Sequence, residues 1–211
     1  PFNYPVELTL QKLVPALLMG NTMIVKASTT APCCVKKLID LAYEAGVPKD
    51  VLHYVTGSRA DCTENLLKNK KVACIAMTGS TEAGSEMMHD AAPTIKKVVL
   101  ELGGNDPLII TAEAAHDPEL IAKAIECLCW GRINENNGQV CASPKRTIVH
   151  KDAHDIFVKC LISFVKTLKR GHATDPTAQL TRLVSTKAAE RVVQQVQHTI
   201  DQGATLLYGG K

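Results

Sequence analysis

The sequence predicts an α/β fold in which parallel strands are flanked by helices. Two observations lead to this fold class. Short β-branched runs alternate with longer amphipathic stretches along all 211 residues, and Gly and Pro are scattered among the turns instead of being pooled in a linker. Hydrophobic residues make up 45% and charged residues 21% of the chain, which is typical of globular proteins and excludes a disordered or fibrous one.

The first half of the chain predicts three strands, each followed by a helix. Gly46-Val47-Pro48 is a helix stop of the glycine-then-proline kind, and Ser80 with Thr81 can cap the helix that begins there. The predicted strands span residues 22–26, 51–55 and 72–77, and the helices span residues 32–45, 60–69 and 80–91.

A second block begins after Leu102, and we place a domain boundary there, between residues 1–102 and residues 103–211. The second block carries the same alternation of apolar runs and amphipathic stretches. Its predicted strands span residues 107–110, 146–150 and 204–207, and its helices span residues 118–128, 153–169 and 186–201.

Charge and hydropathy narrow the possible partners. The net charge is +3 and the Lys and Arg residues are spread along the chain, so no nucleic-acid partner is expected. No apolar stretch reaches the roughly 18 residues of a membrane-spanning helix, and the start lacks a signal-peptide pattern. We therefore expect no membrane association and a cytoplasmic location.

The eight cysteines lie mostly inside apolar runs, which is typical of free, buried thiols in a reducing compartment. Neither Cys33 with Cys34 nor Cys127 with Cys129 has the spacing of zinc ligands, and no paired histidines accompany them. No metal site is expected.

Cys141 differs from the other seven cysteines because small and polar residues surround it and a glycine turn precedes it, in NNGQVCAS. A catalytic thiol needs access and a stabilised thiolate. A loop leading into a helix start would supply both, through free backbone N–H groups and the helix dipole. An inert, small hydrophobic side chain fits the same context, and the local sequence leaves both interpretations open.

Glu101 ends an apolar run immediately before Leu102 and two glycines. The ends of parallel strands are where such proteins place ligands and catalytic groups, and partial burial there would suit a general base. A solvated carboxylate at the end of a strand is the alternative interpretation.

Two further segments carry polar groups that could bind a ligand. Residues 77–84, MTGSTEAG, join a predicted strand to a helix, and backbone N–H groups at such a helix start bind phosphate. A simple capped turn explains the same residues, and a full G-x-G-x-x-G fingerprint is absent. Asn3, between two prolines, is either an amide donor to an oxyanion or a turn residue.

Taken in order, five segments resemble the aldehyde dehydrogenase superfamily: PFNYP, GNTMIVKAS, MTGSTEAG, LELGGNDP and NNGQVCASPKR. The resemblance covers the whole chain but under half of a typical family subunit. The chain lacks an initiator Met and ends on the turn signal GGK, so we expect an internal segment of a longer protein. The resemblance implies the C-terminal part of a Rossmann-like dinucleotide-binding domain in residues 1–102. It implies the N-terminal part of an α/β catalytic domain in residues 103–211.

The resemblance also implies roles for individual residues. Cys141 would be the nucleophile, Glu101 the general base for the deacylating water, and the Asn3 side chain with the Cys141 backbone N–H the oxyanion hole. The implied substrate is an aldehyde, the cofactor NAD or NADP, and the parent enzyme a homodimer or homotetramer. The implied cofactor-binding residues are Lys26 at the adenosine ribose, Ser80 at a phosphate and Gly79 where the dinucleotide approaches closely, together with Thr29, Arg59 and Leu102.

This sequence departs from the family pattern at several cofactor positions. Phe2 stands where Trp is usual. Thr29 stands where many members carry a glutamate that would bond the ribose hydroxyls and repel a 2′-phosphate. Arg59 stands where glycines are frequent, and its charge could pair with that phosphate. These departures leave NADP open beside NAD.

Two other functions remain as alternatives. A coenzyme A-acylating aldehyde dehydrogenase would pass the thioester to coenzyme A, but that branch generally lacks the glutamate found here at Glu101. An inactive dinucleotide-binding or scaffold protein is disfavoured by Cys141, Glu101 and Asn3 together. The motifs GGNDP and GQVCASPKR look most like the succinate-semialdehyde branch, although no Arg can be assigned to a carboxylate site.

Overall fold

In the part of the chain that the structure describes, six strands form three separate parallel pairs. The computed structural model describes residues 1–210. The strands are β1 (Met23–Lys26), β2 (Leu52–Val55), β3 (Cys74–Thr78), β4 (Lys97–Glu101), β5 (Asp106–Ile110) and β6 (Pro144–Val149). β1 pairs with β2, β3 with β4, and β5 with β6, each in parallel register. Parallel neighbours require a crossover connection, and a helix lies in each of these crossovers.

Within residues 1–210, seven α-helices connect and flank the strands, together with short 3₁₀ and π turns. They are α1 (Glu7–Leu18), α2 (Pro32–Glu44), α3 (Arg59–Cys62), α4 (Thr81–Ala91), α5 (Pro118–Cys129), α6 (Lys151–Val165) and α7 (Thr186–Asp201). Side-chain caps fix where several of them begin. The Ser80 hydroxyl accepts a hydrogen bond from the Ala83 N–H at 3.2 Å, and the Asp117 carboxylate accepts from the first turn of α5.

The chain divides into two compact units, Pro1–Gly103 and Gly104 onward. In the first unit, α1 and α2 pack on β1 and β2 around Ile39 and Leu52, both fully buried. In the second unit, α5 and α6 cover β5 around Cys129 and Phe157. Each unit therefore has an apolar core of its own.

The predicted α/β class with parallel strands flanked by helices is confirmed, with differences in detail. The described residues 1–103 form two separate two-stranded sheets, β1 with β2 and β3 with β4. The strand predicted at residues 204–207 is wrong: the chain turns at Gly203, with φ of 97°, and these residues stay exposed without strand pairing. An apolar run becomes a strand only where a neighbouring strand completes its hydrogen bonds.

The eight cysteines are all free, as predicted, but the expected burial is wrong for Cys33, Cys34, Cys74 and Cys127. These four thiols are exposed, whereas Cys129 is fully buried. Cys127 and Cys129 lie two positions apart on α5, and that spacing turns them to opposite faces of a helix. Among residues 1–210, no helix is both long enough and apolar enough to cross a membrane.

Candidate active site

Cys141 lies half-buried in a turn that leads into β6. The expected helix start after this residue is wrong, so no helix dipole acts on the thiol from that side. Pro144 begins β6, and a proline disfavours the helical conformation of the residue before it. The position of the thiol therefore depends on the loop that precedes it.

That loop contains three consecutive residues with left-handed backbone. Asn136, Asn137 and Gly138 have φ of 48°, 53° and 72°. Asparagine tolerates this conformation better than most residues do. At Gly138 any side chain is excluded, because a Cβ atom would lie 2.2 Å from the carbonyl oxygen of Arg132. The glycine turn predicted before Cys141 is confirmed.

Side chains of this loop bind a segment more than 40 residues away in the sequence. The Asn137 amide donates to the Thr181 hydroxyl at 3.0 Å, and the Thr181 N–H donates back to the Asn137 amide oxygen at 2.8 Å. The Val184 N–H donates to the Gln139 amide oxygen at 3.0 Å. The polar residues before Cys141 thus tie its loop to residues 181–184, which the sequence analysis did not single out.

Two cations contact the backbone around Cys141. The Arg132 guanidinium donates to the Gly138 carbonyl at 3.0 Å and to the Ser143 hydroxyl at 3.2 Å. The Lys145 ammonium donates to the Cys141 carbonyl, and it lies 3.3 Å from the Asp106 carboxylate. The sequence analysis missed these cations, although both lie within ten residues of Cys141.

In the first unit, Glu101 lies at the carboxyl end of the β3–β4 pair, opposite Thr78. Its strand position is as predicted, but the expected partial burial is wrong, since Glu101 is exposed. Lys97, Val99 and Glu101 share the exposed face of β4, because alternate residues of a strand point to opposite faces.

The MTGSTEAG turn lies beside Glu101. The Gly79 N–H donates to the Glu101 carbonyl at 3.0 Å, and Ser80 caps α4. Leu102 packs against Gly84 of α4 so closely that a Cβ atom at Gly84 would lie 2.7 Å from the Leu102 side chain. The structure thus brings Gly79, Ser80, Glu101 and Leu102 together at one sheet end.

Lys12 reaches the same sheet end from α1. Its ammonium donates to the Thr78 hydroxyl at 2.7 Å. Burial lowers the pKa of Lys12 below its ordinary value, and the charge of Glu101 acts in the opposite direction. No motif pointed to Lys12, because its contact with Thr78 spans 66 residues.

The residues predicted to bind the adenosine end of the dinucleotide lie at or after the carboxyl ends of β1 and β2. Lys26 ends β1, opposite Val55, and Thr29 lies exposed in the following turn. Arg59 begins α3, where its guanidinium pairs with the Glu86 carboxylate of α4. Neighbouring parallel strands end at the same edge, so these positions share one side of their sheet.

Asn3 is half-buried and precedes Tyr4, a residue with left-handed backbone at φ of 45°. The Tyr4 carbonyl accepts a 3.0 Å hydrogen bond from the Leu8 N–H, which ties this turn to the start of α1. Within residues 1–210, no group of three or more His, Cys, Asp or Glu side chains is arranged to hold a metal ion.

The model of the aldehyde dehydrogenase family matches residues 1–211. The chain is 35% identical over its full length to D-glyceraldehyde dehydrogenase (NADP(+)) of Picrophilus torridus and 36% identical to succinate-semialdehyde dehydrogenase [NADP(+)] 2 of Schizosaccharomyces pombe. The crystal structure of lactaldehyde dehydrogenase from Escherichia coli superposes on the whole chain with a TM-score of 0.92 at 34% identity. This chain belongs to the aldehyde dehydrogenase family.

The match covers all of this chain but only part of each relative. The chain spans 41% of the Picrophilus protein, 42% of the Schizosaccharomyces protein and 43% of the Escherichia structure. The shared part contains all of the residues discussed above.

Proposed function

We propose that the whole protein oxidises an aldehyde to a carboxylic acid, with Cys141 as the nucleophile and NAD or NADP as the hydride acceptor. The observation that carries this proposal is the position of Cys141 after a glycine turn, in a chain that matches the aldehyde dehydrogenase family over its whole length. This thiol follows a left-handed turn in which the Gly138 carbonyl accepts from Arg132. The side chains of Asn137 and Gln139 bind residues 181–184, and the family match covers the whole chain.

In the proposed reaction, the Cys141 thiolate attacks the aldehyde carbon and forms a thiohemiacetal. The Asn3 amide and the Cys141 backbone N–H donate hydrogen bonds to the oxyanion, so that its charge is stabilised as it develops. A nicotinamide cofactor, when bound, would supply the acceptor for the hydride that leaves this carbon, so that a thioester would remain on Cys141. Water then attacks the thioester while Glu101 takes its proton, which releases the carboxylic acid and restores the thiolate.

We assign residues 1–102 to the C-terminal part of a dinucleotide-binding domain and residues 103–211 to the N-terminal part of a catalytic domain. The first assignment is supported by the way β3 ends in a turn of small residues that opens α4, since N–H groups at a helix start suit a phosphate. Gly79 and Ser80 lie in that turn, and Lys26 is exposed at the end of β1. These residues fit a dinucleotide.

We propose that NADP is used at least as well as NAD. Thr29 is exposed and carries no charge that would repel a 2′-phosphate. Arg59 is paired with Glu86, but both side chains are exposed, and such pairs contribute only about 0–1 kcal/mol, so a phosphate can replace the carboxylate. The names of the Picrophilus and Schizosaccharomyces relatives both state NADP(+).

The proposed substrate is a small aldehyde, with semialdehydes included. The likeness of GGNDP and GQVCASPKR to the succinate-semialdehyde branch supports this, as does the name of the Schizosaccharomyces relative. Glu101 at the end of β4 favours hydrolysis of the thioester over its transfer to coenzyme A. We also propose that the whole protein is a homodimer or a homotetramer.

The test is cofactor reduction by the full-length protein with a panel of aldehydes. Cys141→Ala should abolish turnover and leave dinucleotide binding intact, because only the nucleophile is removed. Cys127→Ala removes an exposed thiol of α5 and serves as the matched control, with activity unchanged. Near-normal turnover in Cys141→Ala would exclude the proposed mechanism.

A further inference from the structure

The carbonyl of Cys141 has a cationic partner of its own. Lys145 lies four residues further on in β6, and its ammonium donates to the Cys141 carbonyl. The Lys145 side chain is only 20% exposed, and the Asp106 carboxylate lies 3.3 Å from the ammonium. A largely covered ammonium with two acceptors has little freedom to turn away from Cys141.

The contact of Lys145 with Asp106 and with the Cys141 carbonyl depends on the absence of a side chain at Gly104. A Cβ atom at Gly104 would lie 3.1 Å from a carboxylate oxygen of Asp106 and 3.7 Å from the Cys141 carbonyl oxygen. The Arg146 guanidinium donates twice to the neighbouring Asn105 carbonyl, at 3.2 and 3.0 Å. The start of β5, which carries Asp106, is therefore held against the start of β6, which carries Lys145.

On the other side of the thiol, Arg132 spans the loop. One guanidinium nitrogen donates to the Gly138 carbonyl and to the Ser143 hydroxyl, and that hydroxyl donates to the Val140 carbonyl at 3.0 Å. Ser143 is only 2% exposed, so this hydroxyl is held inside the protein. Contacts from Arg132 thus reach the loop both before and after Cys141.

We propose that Lys145, oriented by Asp106, and Arg132 are positioning residues that fix the backbone of Cys141 for thiol attack. The proposal rests on the function proposed above. Lys145 holds the Cys141 carbonyl. Arg132 binds the Ser143 hydroxyl, which holds the Val140 carbonyl, and that carbonyl lies in the same planar peptide group as the Cys141 N–H. The peptide groups on both sides of Cys141 are thus restrained. Since a misplacement of about 1 Å at a reacting group can lower a rate roughly 100-fold, this restraint bears on the chemical step.

The contacts of Lys145 and Arg132 favour a positioning role over a purely structural one. An ordinary surface pair such as Lys36 with Asp40 joins two exposed side chains and contributes little to the stability of the fold. Lys145 and Arg132 instead donate to the backbone on either side of one half-buried thiol. Their removal should therefore change the rate of the reaction more than the stability of the fold.

Single-turnover kinetics of the full-length protein, with enzyme in excess over aldehyde, separate the two roles. Lys145→Met keeps the apolar stem and removes the charge. We expect it to lower the rate constant of cofactor reduction about 10- to 100-fold while the KM for the dinucleotide changes less than about twofold. Lys145→Arg should restore much of the rate. Lys159→Met, on the exposed face of α6, is the control and should leave the rate unchanged.

A purely structural role gives a different result, in which the Tm of the variant falls while its rate constant, measured with enzyme in excess, stays normal. That result, or a normal rate constant in Lys145→Met, overturns the proposal. If Lys145→Met does not fold, Asp106→Asn and Arg132→Lys test the same proposal. Asp106→Asn removes the charge that orients Lys145, and Arg132→Lys weakens the contacts on the other side of Cys141, so each should lower the rate constant. Cys141→Ala separates failure of the proposed function from failure of the positioning role. If Cys141→Ala is active, the proposed function fails. If it is inactive while the Lys145, Asp106 and Arg132 variants have normal rate constants, only the positioning role fails.

Discussion

The backbone N–H of Gly79 donates a 3.0 Å hydrogen bond to the backbone carbonyl of Glu101. This bond joins the turn that we assign to phosphate binding to the residue that we assign to thioester hydrolysis. Because it uses only main-chain atoms, changes to the Glu101 side chain leave it intact. The carboxylate can therefore be tested without disturbing the end of the sheet.

Glu101→Gln keeps the shape of the side chain and removes its ability to accept a proton. Thiol attack and hydride transfer should persist while hydrolysis slows by about 10²- to 10⁴-fold, so the acyl-enzyme accumulates. Rapid mixing should reveal a burst of reduced cofactor equal to the number of Cys141 sites, followed by a slow steady state. Glu44→Gln, which changes an exposed carboxylate of α2, is the control. Normal turnover without a burst, or a requirement for coenzyme A in the wild type, would favour the acylating alternative.

Thr29→Glu places a carboxylate in the exposed turn after β1. Repulsion between this carboxylate and a 2′-phosphate should raise the KM for NADP about tenfold and change the KM for NAD much less, which corresponds to about 1.4 kcal/mol. Steady-state kinetics with both cofactors measure the effect, and Thr30→Glu should produce a smaller one. A large NAD preference in the wild type that Thr29→Glu does not alter would contradict the assignment of this turn.

Ile95 has left-handed backbone, with φ of 52°, and its side chain is 94% exposed. A β-branched residue is strained in this conformation, and here little packing compensates for the strain. Ile95→Gly should raise the free energy of unfolding by about 1 kcal/mol, measured as an increase in Tm. Ile95→Val keeps the β-branch and should not raise the Tm. A lower Tm for the glycine variant would mean that the Ile95 side chain makes stabilising contacts.

Burial of Lys12 predicts a pH dependence of stability. Because the pKa of Lys12 is lowered in the folded protein from 10.5, the unfolded chain binds more protons between the two values. The contribution of Lys12 to stability should therefore rise as the pH increases through this window. The Tm of the wild type relative to that of Lys12→Met, measured at several alkaline pH values, should increase with pH. A constant difference would show that Lys12 has the same pKa in both states.

Local sequence determined most of the secondary structure and the most prominent candidate residues. Strand β1, helix α2 and the Ser80 cap of α4 follow from side-chain periodicity and from capping within a few residues. The glycine turn before Cys141 was predictable for the same reason, since only Gly tolerates the φ of 72° and the close carbonyl found at Gly138. Such features depend on neighbours in the chain.

Tertiary structure decided which residues meet. Asn137 contacts Thr181 across 44 residues, and Lys145 contacts Asp106 across 39, and no local pattern encodes either pairing. The same holds for residues 204–207, which have the composition of a strand but no strand partner among the described residues 1–210. Periodicity specifies which face of an element is apolar, whereas the path of the whole chain specifies what that face, and each polar group beside it, will contact.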